Sequence, residues 1–331
     1  MAAITIFEDD AFSVSTLTAT INDKPEVPGR IGGLRLFDEE GVSSTTVQIE
    51  KDGDTLALVP AGQRGQPATP VHGSKRQMIP FNTIHLAQRA SINADEVQGI
   101  RAFGTETELT AVESLVTKRL LKMRRQLDAT HEFHRIGAIK GLVLDADGST
   151  VLLNLFDRFG IAQQTFRFDL DTATTELRLK CGDVLDLIED ALSGQTFSGV
   201  RVLCGKDFWR KLVVHKSIKE TYLNTQMAGA LRGDPREAFE FGGCVFERYR
   251  GKVGSIAFIG DAEAYAVPEG VPELFITRYA PADYMETVNT NGLPYYAKQE
   301  RMPFDKGVLL ESQSNSINLC TRPRAIIKLT V

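Results

Sequence analysis

Residues 108–136, ELTAVESLVTKRLLKMRRQLDATHEFHRI, constrain this chain more than any other stretch, because apolar side chains recur three or four positions apart throughout it. Leu109, Val112, Val116, Leu120, Met123 and Leu127, continued by Thr130 and Phe133, draw one core-facing stripe down a helix whose opposite side is charged. Thr105 as N-cap and Glu108 three residues later form a capping box, and Gly137 and Gly141 supply the stop. A helix from about 106 to 136 is a rod of roughly 45 Å at 1.5 Å rise per residue. A rod that long needs a large body to lean on.

Residues 1–45 alternate short apolar pieces with turn formers, as in TINDKPEVPGRIGGL, and predict an extended N-terminal arm without a helix. TTVQIEKDGDTLALVP reads as strand, Asp52-Gly53 turn, strand. PAGQRGQPATPVHGSKRQ, residues 60–77, has no periodicity, and MIPFNTIHL then returns as a strand. Residues 46–90 therefore form a two-stranded arm whose tip carries Arg64, Lys75 and Arg76, candidate intersubunit contacts. Two strands alone are marginal in water, so the arm must rest on another molecule or on a remote part of its own.

Beyond the helix, GLVLDADGSTVLLNLF is a hairpin turning near Asp147-Gly148. From about 172 the pattern is mixed. CGDVLDLIEDALS predicts a helix, SGVRVLCG a buried strand, and KDFWRKLVVHKSIKETYLN one further helix with Trp209 on its first turn. Several strand-like runs follow, and RPRAIIKLTV closes the chain as an apolar strand. The fold class is α+β.

The 331 residues are 42% hydrophobic, enough for a substantial core. A net charge of −5 argues against nucleic acid as the main ligand, since such binding is driven by basic side chains that neutralise phosphates. MAAITIFEDDAF has acids where a secretion signal has basic residues, and no run of eighteen apolar residues occurs, so neither export nor a membrane is expected. Cys181, Cys204, Cys244 and Cys320 lie far apart and read as reduced, isolated thiols of a cytoplasm.

Enzyme signatures fail one by one. In HEFH, His131 and His134 are three apart rather than the four of the zinc protease motif, so Phe133 continues the stripe while the histidines flank it. GQRGQP lacks the GK[ST] ending of a phosphate loop, and no GxSxG occurs. No catalytic residue, metal or cofactor is inferred. Lys118, Arg119, Lys122 and Arg125 make a basic ridge on the charged side of the long helix, first a solvated or paired face and only weakly a DNA-facing one. A cytoplasmic α/β enzyme with an N-terminal oligomerisation arm stays in view as the rival reading.

Four stretches taken together carry a resemblance. PGRIGGLRLFDEEGVSSTTVQIEKDGDTLALVPAGQRGQP, INADEVQGIRAFG, GLVLDADGSTVLLNLFDRFG and QSNSINLCTRPRAIIKLTV, in this order and over essentially the whole chain, resemble the lambda-type major capsid proteins of tailed bacteriophages, the phage major capsid protein E family. The chain departs from that pattern at Ser314-Asn315-Ser316-Ile317, where the family usually has SNPL in a local turn.

The resemblance implies the tailed-phage (Hong Kong 97-like) capsid fold. Residues 1–45 become an N-terminal arm, 46–90 an extended loop (E-loop) lying across a neighbour, and 91–171 a peripheral domain around the spine helix. Residues 172–302 become an axial domain around which hexamers and pentamers close, and 303–331 return to the peripheral domain. The implied function is self-assembly into the icosahedral head shell that encloses the genome, in a virion assembled in the host cytoplasm. The implied partners are further copies of the chain, a scaffold, a portal and a decoration protein, with packaged DNA touched only weakly and non-specifically. Lys75 lies where some relatives of the fold crosslink, although the lambda-type proteins generally rely on a decoration protein instead.

Overall fold

A computed structural model describes residues 7–23, 29–51, 77–97, 108–223 and 238–331. Its helices are α1 Val14–Asp23, α2 Arg30–Leu34, α3 Ala94–Val97, α4 Glu108–Lys140, α5 Leu155–Phe159, α6 Leu177–Leu192, α7 Lys206–Val214 and α8 Lys216–Leu223. The strands from the N-terminus are β1 Asp38–Gly41, β2 Thr46–Lys51, β3 Gln77–Asn82, β4 Ile84–Asn93, β5 Leu142–Leu144, β6 Val151–Asn154, β7 Thr165–Arg167 and β8 Gly199–Cys204. They continue as β9 Phe239–Phe241, β10 Cys244–Arg248, β11 Lys252–Val253, β12 Ile256–Ala257, β13 Glu263–Glu269, β14 Phe275–Tyr279, β15 Tyr296–Arg301, β16 Gly307–Cys320 and β17 Ile327–Thr330.

The chain divides into two compact units that interleave in sequence. The first takes residues 1–47, 81–132 and 277–318, and the second takes 48–80, 133–276 and 319–331.

In the first unit β16 is the axis of a five-stranded sheet ordered β1-β14-β16-β15, with β4 also paired to β16. β4 runs antiparallel to it from Ile84 opposite Ser316 to Asn93 opposite Gly307. One hydrophobic cluster joins Val112, Val116, Leu120, Met123 and Leu127 of α4 to Leu17 and Ile21 of α1 and to Ile92, Ala297, Val308 and Leu310 of the sheet. These side chains are at most 5% exposed, so the helix stripe is buried in that core. Leu109 lies on α4, but its side chain is outside the described residues, as are Thr105, the Asp52-Gly53 turn and all of 52–76.

Two expectations change in this unit, and the turn that the departure at 314–317 put in doubt is absent. The N-terminal region is helical rather than extended, since Val14–Asp23 forms α1 and buries Leu17, Thr18 and Ile21. The sequence concealed it because VSTLTATIND is rich in β-branched and small polar residues, so tertiary contact decides its structure. Residues 277–302, assigned to the axial region, belong to the first unit, where β15 pairs along β16 from Tyr296 opposite Gln313 to Arg301 opposite Val308. Ser314-Asn315-Ser316-Ile317 forms no turn. It continues β16 without interruption, with Ser316 opposite Ile84 of β4 where a proline would have no N–H to offer a ladder.

The second unit holds a six-stranded mixed sheet ordered β7-β17-β13-β8-β10-β9. The C-terminal strand β17 runs antiparallel to β13 and parallel to β7, the latter within residues 91–171 to which the closing strand was expected to return. Long-range strand pairing leaves no local mark that sequence could have shown. Aromatic rings fill this core: Phe168 lies 5.8 Å from Phe208 and 6.2 Å from Phe246, and Trp209 lies 5.3 Å from Phe239. The segment expected as one helix after β8 breaks at His215, whose ψ of 142° is extended, giving α7 and α8. The long helix α4 also runs past its expected stop and through Gly137, which is needed because a Cβ there would lie 2.9 Å from the Val143 Cα. Gly141, at φ +78°, ends it.

Candidate assembly surfaces

The charged residues of α4 divide between holding the fold and facing outward. Arg124 is buried, and its guanidinium donates to the carbonyls of Ile21 at 2.6 Å and Asn22 at 3.2 Å, the last turn of α1. A cation there satisfies orphan carbonyls and complements the helix dipole. The same group stacks over Tyr295 at 5.0 Å, and the Tyr295 hydroxyl donates to Asp128 at 2.5 Å. Eight residues further along α4, Glu132 accepts from the backbone N–H groups of Ile31 at 2.9 Å and Gly32 at 3.3 Å, at the start of α2. One cation and one anion on the spine thus clamp opposite ends of two N-terminal helices.

The basic ridge is only partly free. Arg119 pairs with Glu96 of α3, whereas Lys118, Lys122 and Arg125 are exposed and make no ion pair among the described residues. Arg64, Lys75 and Arg76 lie outside the described residues.

HEFH is structural. His131 sits inside the first unit with Nε2 3.0 Å from the Ser314 hydroxyl and Nδ1 3.2 Å from that of Ser316. Its ring packs edge-on against Tyr279 and Tyr295. The expectation that both histidines flank the stripe is therefore corrected: His131, Glu132 and His134 are buried, while Phe133 is only half-buried. The polar run 312–316 of β16 is buried, and partners satisfy its side chains from Gln313 to Ser316, whereas the Ser312 hydroxyl finds none. Gln313 donates to Asp283 at 2.8 Å and Asn315 to the Pro281 carbonyl at 3.1 Å.

Nor are the cysteines all isolated. The buried thiol of Cys181 on α6 lies close enough to that of Cys244 on β10 for its influence, together with burial, to push the Cys181 thiol up. Their separation in sequence hid this. Among the described residues no group of three His, Cys, Asp or Glu side chains could hold a metal ion.

What remains at the surface is suited to contact rather than chemistry. Phe304 is 91% exposed at φ +63°, a conformation that costs a bulky residue about 1–3 kcal/mol, and it holds an aromatic ring out between β15 and β16. Met285 in the first unit is 87% exposed, and Leu179 and Val214 in the second are 66% and 62% exposed.

This architecture is that of tailed-phage capsid subunits. A prophage protein of E. coli CFT073 shares the fold at TM-score 0.59 and 14% identity over 96% of this chain and 98% of that one. A chain of the satellite phage P4 procapsid does so at TM-score 0.51 and 11% identity, over 96% and 90%. Residues 13–331 match the family described as Phage major capsid protein E, and the chain belongs to that family. The major capsid protein of Salmonella phage Felix O1 is 28% identical across 98% of this chain and 97% of its own length. The chain is a structural subunit of a phage head shell, and the rival reading as an α/β enzyme finds no support in these likenesses.

Proposed function

We propose that copies of this chain build the head shell by laying the segment between β2 and β3 across a neighbour while hexamers and pentamers close around the second unit. The observation that carries this reading is the ribbon at the root of that segment. Among the described residues β2 and β3 pair only with each other, and they bury one face through Val47, Ile49, Ile79 and Phe81. A two-stranded ribbon gains little alone, and a connection from 52 to 76 is long for the inside of a compact domain. The root of the ribbon is thus anchored on its own chain, and contact with a second copy would give the connection beyond it a partner.

In this reading Arg64, Lys75 and Arg76 pair with acids of the neighbour, a salt-sensitive contact. The first unit serves as the peripheral domain and the second as the axial domain. A scaffold templates assembly in the host cytoplasm, a portal takes one vertex, and a decoration protein braces the finished shell. Lys118, Lys122 and Arg125 offer packaged DNA a weak, non-specific contact. No bond is made or broken, so the role is structural and not catalytic. Replacing residues 62–75 by a short Gly-Ser turn tests the reading: subunit unfolding stays where it was and closed shells are lost. Shells of normal size and stability from that variant would overturn it.

A further inference from the structure

The second unit carries two exposed patches of opposite character. One is a groove of about 730 Å³ where residues 170–173 meet α7 and α8. Its wall is preformed: His215 Nε2 lies 3.0 Å from the Thr172 carbonyl and the Ser217 hydroxyl donates to the Thr175 carbonyl at 3.0 Å, which pins the loop to the helix pair. Arg210, Lys211, Lys216 and Lys219 line it against the two carboxylates Asp171 and Glu220, leaving a positive surplus. Lys211 meets Asp171 at 2.6 Å, Lys216 and Glu220 are 3.7 Å apart in the open, and Lys219 has no ion pair among the described residues. The floor includes the exposed Val214.

The other patch is the outer stripe of α6. With Leu177, Cys181, Val184, Ile188 and Leu192 buried, the helix turns Leu179, Asp183, Asp186 and Asp190 outward at spacings of four, three and four, so they stand on one line. The three aspartates make no ion pair among the described residues, and Leu179 at their end is 66% exposed.

We infer that the α6 ridge of one copy seats in the α7–α8 groove of the next, its aspartates facing Lys216 and Lys219 and its Leu179 reaching the apolar floor at Val214. The inference deepens the shell reading and rests on it. Two different patches that fit each other make a heterologous contact, the kind that generates rings. An acidic ridge ending in an exposed leucine matches a groove with both a cationic wall and an apolar floor. Nucleic acid would match only the wall and would leave the apolar floor unused.

Charge reversal tests the contact in the full-length protein. The variants Asp183→Lys with Asp186→Lys, and Lys216→Glu with Lys219→Glu, should each unfold within a few degrees of wild type yet require about tenfold or more protein for rings or shells to form. The fourfold variant, in which both patches are reversed, should assemble again. An equal mixture of the two double variants should form six-membered rings, where copies alternate, but fail at five-membered rings, where one mismatched pair must remain. Double variants that assemble as wild type, or a fourfold variant that folds without regaining assembly, would overturn the inference. So would a groove variant that loses only affinity for a duplex oligonucleotide. A wild-type chain that forms no rings or shells would instead count against the shell reading itself.

Discussion

The Glu132 carboxylate and the backbone N–H of Ile31 meet at 2.9 Å across 101 residues of sequence. The contact caps a helix that has no capping side chain of its own, because Gly29 stands at its N-cap. A side chain there would collide, since a Cβ on Gly29 would lie 2.3 Å from the Glu132 Cδ. Glu132→Ala should therefore cost about 1–3 kcal/mol by freeing buried donors. The expected reading is a lower urea midpoint at unchanged slope, and Gly29→Ala should shift it the same way.

Arg124 makes the complementary test at α1. Removing it strands the carbonyls of Ile21 and Asn22 together with the half-buried Asp128, whose distance to the guanidinium is 3.8 Å. Arg124→Met should destabilise the subunit by about 2–4 kcal/mol. Arg124→Lys should recover only part, because an ammonium can reach the two carbonyls that Nη1 serves but lacks the planar group that stacks on Tyr295. Thermal unfolding of the three proteins ranks them.

These two clamps explain what sequence could and could not show. The long helix and the hairpin at Asp147-Gly148 were legible because their signals are local: a periodic stripe in one, a turn dipeptide in the other. α1 and α2 were not, since each is held by a charge about a hundred residues away. β16 hid for a different reason. Ser312 to Ser316 read as a polar stretch, yet all five are buried, with Ser314 and Ser316 partnered by His131, Gln313 by Asp283 and Asn315 by the Pro281 carbonyl. The proximity of Cys181 to Cys244 and the placement of β17 likewise depend on contacts between distant segments. The assembly surfaces were the least legible, because exposed apolar and charged groups acquire meaning only once the fold shows which of them share a face.

The helix stripe gives a sharp contrast between neighbours. Leu120 is 1% exposed, so Leu120→Asp buries an unpaired carboxylate and should cost on the order of 5 kcal/mol, leaving little soluble folded protein. Lys122→Glu, two residues on and exposed, should leave the unfolding temperature within about 2 °C of wild type.

Acid should weaken the second unit through His134. Burial holds its pKa down at about 4, with the Asp145 charge opposing the shift, whereas an unfolded histidine titrates near 6.5. Between those values the unfolded chain binds a proton that the native state refuses, so this contribution to stability is complete above pH 6.5 and is lost as pH falls to 4. Denaturant unfolding at pH 7 and pH 4.5 should show a loss for wild type that shrinks by about 2–3 kcal/mol in His134→Phe. An identical loss in both proteins would assign the acid sensitivity elsewhere.

Negative-stain electron microscopy of the purified full-length chain, read beside its sedimentation profile, bears most directly on the central claim. The fold, the family and the exposed apolar and charged patches predict rings, tubes or closed shells whose repeating unit is this one chain. A uniform population of small dimers or monomers, unchanged across salt and protein concentration, would contradict it.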